Sequence, residues 1–339
     1  MGKGETSAVQ EKVIVPEVTE MEYRPKKVKM PVGKRIQREA KKNLPLFIML
    51  LPGFIFTFIF SYLPMFGIII AFKKINFVEG IFASPWNGLE NFRFLFTSSD
   101  AWTITRNTLG YNILFLALGL VLNVALAIGL TEIANKVASK VYQTMILMPH
   151  FLSFVIVSYL VFAFLSTENG FLNKTILPMF GLDPVNWYTN PKPWPYILTF
   201  VNFWKSVGYG SIVYMAAIAG IDTGLYEAAE IDGASRAKQL WYITIPSLVP
   251  LMVVLTIMNV GKIFNADFGL FYQVPLNSGA LYSTTDVISS YVYRMLAGAG
   301  TSSMGMAAAA SFYQSVCGFI LVVTTNYIVT KIDPEKAMF

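Results

Sequence analysis

Long apolar runs alternate with polar breaks along the whole chain. Nearly charge-free stretches lie at 43–72, 107–131, 141–167, 193–221 (interrupted by Lys205), 239–265 (interrupted by Lys262) and 295–330. Each can supply the roughly 20 residues that cross a bilayer core as a helix. The pattern therefore predicts an all-α membrane protein with six transmembrane helices, near 46–70, 109–131, 142–165, 196–219, 248–267 and 308–330. Three connections, 71–108, 166–195 and 268–307, are long and rich in proline, glycine and aromatics, which predicts turns and short packed pieces rather than further spans. Of the other two, 132–141 is short and 220–247 is long.

The long polar connection has a helical pattern of its own. Leu225, Ala228, Ala229 and Asp232 fall at i, i+3, i+4 and i+7 on one face, with Glu227 and Glu230 beside it. Gly233 supplies a turn without Cβ strain. A second helical stretch, Ser235 to Tyr242, leads to Ile243 and Ile245, and Pro246 suits the first turn of the next span. A helix–turn–helix with a small-residue face edged by acids fits a groove on a cytoplasmic partner. An amphipathic surface hairpin without a partner would show the same pattern.

Composition agrees with the membrane reading, since 55% of the 339 residues are hydrophobic and only 14% are charged. With the N-terminus in the cytoplasm, 17 of the 26 Lys/Arg fall in the tails and the two inner connections and 7 in the outer ones. The excess of positive charge inside predicts cytoplasmic N- and C-termini. Residues 1–45 read as a mobile basic tail, 46–330 as the six-span domain and 331–339 as a short cytoplasmic tail. Lys34, Arg35, Arg38, Lys41 and Lys42 serve as a topology signal or bind the membrane surface. No cleavable signal peptide is read, because a polar segment precedes the first apolar run.

Catalytic chemistry has little to work with. His150 and Cys317 are the sole residues of their kinds, and no carboxylate cluster lies within a span, so neither a metal site nor a catalytic residue is expected. The sequence lacks G-x-x-x-x-G-K-[ST], so the chain has no phosphate-cradling loop and is not expected to be an enzyme. Asn173-Lys174-Thr175 spells a glycosylation acceptor and is given no role.

Glu227-Ala228-Ala229, Gly233, Ile243 and Ile245-Pro246 stand at the spacing of the "EAA" loop, and this segment resembles that of the inner-membrane permeases of binding-protein-dependent ABC importers. Asp232-Gly233-Ala234-Ser235 matches the usual filling, while Ile245 replaces the common leucine before the proline and Leu240 the common phenylalanine before Trp241. "GLENFRFLF" (88–96), "RNTLGYN" (106–112) and "GIDTGLYEAAEIDGAS" (220–235) are similar to the carbohydrate-uptake branch. "TTDVISSYVYRMLAGAG" (284–300) resembles the first permease of polysaccharide-fragment importers.

The resemblance implies a type I importer permease fold. It also implies a second permease subunit, two cytoplasmic ATPases that hold the ATP and Mg, an external solute-binding protein, an oligosaccharide substrate and a bacterial cell membrane. No nucleic acid is implied. Glu227 would pair with a basic residue of the ATPase, Ala228 and Ala229 would pack closely and Gly233 would make the turn. Asp232, Ala234, Ile243 and Pro246 complete the coupling set.

Lys205 lies mid-span, where an ionisable group is costly enough to suggest function. Asn202, Lys205 and Tyr209 share one helix face, with Trp204 about a quarter-turn away, and could offer donors, an acceptor and a ring to a sugar. A water-facing Lys205 would favour an acidic sugar. A lysine bound to a backbone carbonyl or to the second permease accounts for it equally. Lys262, flanked by Asn259 and Asn265, reads as a snorkelling residue. The competing reading of the whole chain is a six-span channel or export component whose loop meets a different cytoplasmic partner.

Overall fold

The structure is a computed structural model that describes residues 42–76, 78–298 and 301–333, with side chains from 304 in the last segment. The expected tails fall largely on 1–41 and 334–339, outside the described residues. Among those described, every named element is helical, and the one extended pairing is an isolated bridge between Lys73 and Trp86. Packing groups the chain into two compact units, Met1–Leu63 and Pro64–Phe339.

In the first unit, α1 (Leu44–Thr57) buries no residue and continues through a π-turn at Phe58–Tyr62. Phe54, Phe58 and Tyr62 stack along one side. A helix apolar all round is built for lipid or for burial against another surface.

The second unit is arranged around α2 (Ser99–Thr131) and α5 (Trp194–Ala219). Its other elements are α3 (Lys136–Leu147), α4 (Phe154–Leu165), α6 (Thr223–Ile231), α7 (Arg236–Val260), α8 (Ile288–Ala297) and α9 (Thr301–Ile332). Local chemistry sets the starts. Ser98 Oγ accepts from Ala101 N–H, Asn135 Oδ1 from Val137 and Ala138 N–H, and Ser153 Oγ from Ile156 N–H. Pro195 occupies the first turn of α5, where its missing N–H costs nothing.

Four helical runs among the described residues are long and apolar enough to cross a membrane: Leu44–Phe72, α2, α7 and Met304–Ile332. A fifth follows if α3 and α4 count as one span, although they meet at a 97° bend. Helix α5 forms where the fourth span was expected and is 26 residues long, but it is outside the set that passes on apolarity as well as length.

Membrane helices gain little from apolar burial against one another, so small residues and hydrogen bonds carry their packing. Gly208 of α5 lies directly over the Ile146 backbone. Gly318 of α9 faces the Gly261 carbonyl, 2.7 Å from where a Cβ would stand. The "RNTLGYN" residues lock α2 to the segment before α8. Asn107 Nδ2 donates to Asp286 O at 2.9 Å, Arg106 Nη2 to Ser283 O at 2.9 Å, Tyr111 Oη to Thr284 O at 2.8 Å, and Thr108 Oγ1 accepts from Ile288 N–H at 3.0 Å. Asn91, from "GLENF", is buried and donates to the carbonyls of Ala71 and Lys73.

At the end where α5 begins, a core of Trp194, Leu198, Leu270, Val274, Leu281 and Val287 is fully buried. Trp194 Nε1 donates to Trp187 O, and Trp187 Nε1 to Asn173 Oδ1. These aromatics form a packed cap rather than an open docking surface, while Tyr196 remains exposed. Asn173 is buried with both amide atoms bonded, which closes the Asn-Lys-Thr triplet to modification. Asp286 pairs with Arg294, whose guanidinium lies 4.0 Å over the Tyr282 ring. Burial pushes the Tyr188 hydroxyl well above its ordinary pKa, and burial first, then Asp100 and Asp286, raises that of Tyr291.

Candidate functional site

The polar connection folds as a helical hairpin. Asp222 caps α6 by accepting from Gly224 N–H at 2.9 Å. Asp232 ends the helix and Gly233 follows at φ +74°. Gly233 N–H donates to Glu230 O at 3.0 Å and Ala234 N–H to Ala229 O at 2.8 Å, the paired bonds of a Schellman turn. Helix α7 then starts at Arg236 after Ser235.

One local expectation is corrected. The second helical stretch does not stop before Pro246. It runs on as α7 through a π-turn at Leu240–Thr244 and places the proline inside a continuous helix. A proline ring collides with the carbonyl four residues earlier and offers it no N–H. The π-turn absorbs the misfit by widening the spacing, with Ile245 N–H bonded to Leu240 O. Ser247 Oγ donates to Ile243 O at 2.7 Å.

The two faces of α6 differ. Thr223, Tyr226, Glu227 and Glu230 line a cleft of about 400 Å3 shared with Glu132, Arg236, Gln239 and Thr244. Leu225, Ala228, Ile231 and Asp232 are exposed, and Ala229 and Ala234 half-buried. Ile231 at 87% exposure and Tyr242 at 80% mark an apolar surface with nothing from the described residues upon it. The structure thus keeps the predicted set Glu227–Ala234 on one short element, but turns Glu227 toward the cleft and Ala228 away from it. Ile243 and Pro246 belong to the π-turn region of α7 and shape that helix.

A second feature was not legible as a site. A cavity of about 210 Å3 lies between α2, α5 and the end of α7, with Asn112, Asn123, Thr256, Asn259, Lys262 and Asn265 on its wall. Asn112 Nδ2 donates to Ile263 O at 2.8 Å. Asn123 Oδ1 is buried without a hydrogen-bond partner, and Lys262 has no carboxylate partner, both among the described residues. Lys262, read as a snorkelling residue, therefore stands on a polar wall. The available signal was the eleven-residue spacing of Asn112 and Asn123, three helical turns, opposite the 259–262–265 face.

The residues singled out on the fourth apolar run gather elsewhere. Lys205 Nζ donates to His150 O at 2.6 Å and lies 5.0 Å over the Phe154 ring. Tyr209 stacks on His150 with centroids 4.2 Å apart and planes 5° apart. Asn202 is half-buried and Trp204 40% exposed. Lys205 and Tyr209 thus brace the corner between α3 and α4, where the chain turns through Pro149 and leaves carbonyls without helical donors. None of the four residues lines the polar cavity. No group of three or more metal-ligating side chains occurs among the described residues.

The chain is similar to Protein LplB of Bacillus subtilis (strain 168), 35% identical over 93% of this chain and 99% of the relative. It is also similar to the polygalacturonan/rhamnogalacturonan transport system permease protein YteP of the same organism, 33% identical over 89% and 92%. Among solved structures it matches a chain of a bacterial ABC transporter involved in the import of the acidic polysaccharide alginate, at TM-score 0.79 and 36% identity, covering 88% of this chain and 99% of that one. Residues 116–334, which hold α5, the hairpin and the cavity's α7 wall, match the family described as binding-protein-dependent transport system inner membrane component, and the chain belongs to that family.

Proposed function

We propose that this chain is one of two permease subunits in an ATP-driven importer that takes uronate-containing oligosaccharides from an external binding protein and passes them to the cytoplasm. In this reading the α3–α4 pair crosses as one bent span, α5 is the fourth span and brings the count to six, and both termini lie in the cytoplasm. The hairpin then projects inside, where α6 sits in a groove of a cytoplasmic ATPase that supplies the ATP and Mg.

The observation that carries the coupling role is the hairpin itself. A Schellman turn at Gly233 and an exposed small and apolar surface from Leu225 to Ile231 are more structure than chain reversal requires. The substrate class rests on the cavity. Four asparagines, a threonine and an unpaired ammonium at Lys262 suit hydroxyls and one carboxylate better than an ion or a lipid tail. The names of the similar proteins, for polygalacturonan and rhamnogalacturonan transport and for alginate import, point to acidic sugars as well.

The test is uptake in cells that express the whole importer. Gly233→Val forces a β-branched residue into a left-handed backbone, and Glu227→Lys reverses the charge expected to meet the ATPase. Each abolishes uptake while the subunit stays in the membrane. Wild-type uptake and wild-type ATPase association in both variants would refute the coupling role.

A further inference from the structure

A hairpin joined at one end only would let α6 swing about Gly233 without moving α7. Among the described residues, one side-chain hydrogen bond between the two helices opposes that swing: it joins Tyr226 Oη on α6 to Thr244 Oγ1 in the π-turn of α7, at 2.9 Å, with Thr244 buried. The Arg236–Glu132 pair, 3.6 Å apart and largely exposed, ties the start of α7 to the end of α2 rather than to α6.

The Tyr226–Thr244 bond is made within the π-turn. Several other helical threonines among the described residues turn back on their own helix. Thr108, Thr131, Thr144 and Thr199 each donate to the carbonyl four residues earlier. The corresponding carbonyl for Thr244 is Leu240 O, which bonds Ile245 N–H across the π-turn. Thr244 Oγ1 instead points across to Tyr226. The same helix carries Thr256 and Asn259 to the polar cavity, about 18–22 Å along its axis from Thr244.

We propose that Tyr226 is a positioning residue. Its hydroxyl bond to Thr244 makes α6 and α7 move as one body, so that a displacement of α6 by the ATPase reaches the cavity wall instead of being lost at the Gly233 turn. The inference rests on the coupling role proposed above.

The test reads the cavity and needs no transported sugar. Asn259→Cys in a Cys317→Ser background reports exposure through its rate of thiol labelling in the reconstituted importer, with and without trapping by ATP and vanadate. Trapping changes that rate when Tyr226 and Thr244 are intact. Tyr226→Phe and Thr244→Val each shrink the change about five-fold, the worth of one ordinary hydrogen bond, and the double variant shrinks it no further. Thr244→Ser keeps the hydroxyl and restores the response, and the ATPase co-purifies throughout.

A full response in Tyr226→Phe, or additive losses in the double variant, would overturn the brace. So would a smaller response explained entirely by loss of the ATPase, since the bond would then only support folding. No response to trapping with Tyr226 and Thr244 intact would instead sink the coupling role. Loss of the response in Gly233→Val together with a full response in Tyr226→Phe would keep that role and reject the brace.

Discussion

Gly208→Ala adds one methyl group where α5 crosses α3. The new Cβ would stand 2.2 Å from Ile146 O and 2.7 Å from Ile146 C, both backbone atoms of a neighbouring helix. An ordinary carbon–oxygen contact needs about 3.3 Å, so the two helices must part by about 1 Å. Lys205 Nζ–His150 O, now 2.6 Å, and the Tyr209–His150 stack lie within a turn of Gly208 and loosen with it. Overpacking costs about 1–3 kcal/mol, and weakening a charged hydrogen bond adds about 1–2 kcal/mol. Gly110→Ala is the control, because nothing lies within 4 Å of its Cβ position and alanine favours a helix by up to about 1 kcal/mol. The two substitutions are chemically identical and should differ in sign. Heating the purified importer and following the intact complex by size-exclusion chromatography should place Gly208→Ala at least about 5 °C below wild type, with Gly110→Ala level or higher. A wild-type midpoint and wild-type uptake for Gly208→Ala would refute the close approach of α5 to α3.

Lys262→Gln should lower uptake of acidic oligosaccharides relative to neutral ones about ten-fold, the worth of one charge-assisted hydrogen bond, and an unchanged ratio would remove Lys262 from the substrate path. Asn107→Ala strips the donor from the buried Asp286 O and leaves Ser283 O to Arg106 alone, a loss of about 1–3 kcal/mol that limited proteolysis should report as cleavage within 283–288, while resistance equal to wild type would mean that this lock holds without Asn107. For topology, single cysteines at Ser7 and at the exposed Ser283, in a Cys317→Ser background, meet an impermeant thiol reagent in intact cells. Only the second should react, and the opposite pattern would invert the proposed orientation.

The legible parts of this chain are those decided within one helix. Apolar runs announce α2, α7 and α9 because a lipid-facing helix must be apolar over its own length. Gly233 announces its turn because a left-handed backbone excludes most other residues. The stretch 141–167 reads as one unbroken apolar run, yet it holds a 97° corner. Pro149 removes a donor and Ser153 caps a fresh helix, and the decision falls to Lys205, 55 residues away, which supplies the missing hydrogen bond to His150 O. The π-turn escapes notice for a related reason, since Pro246 is equally at home at the start of a helix and within one that has widened before it. Two lysines interrupt apolar runs, and each has polar neighbours on its own helix face. Lys205 meets a carbonyl orphaned by a break in another helix and becomes a brace. Lys262 meets a wall of amides from α2 and keeps its ammonium available. A membrane lysine takes its role from the polar groups that other helices bring to it, and those helices are placed by packing.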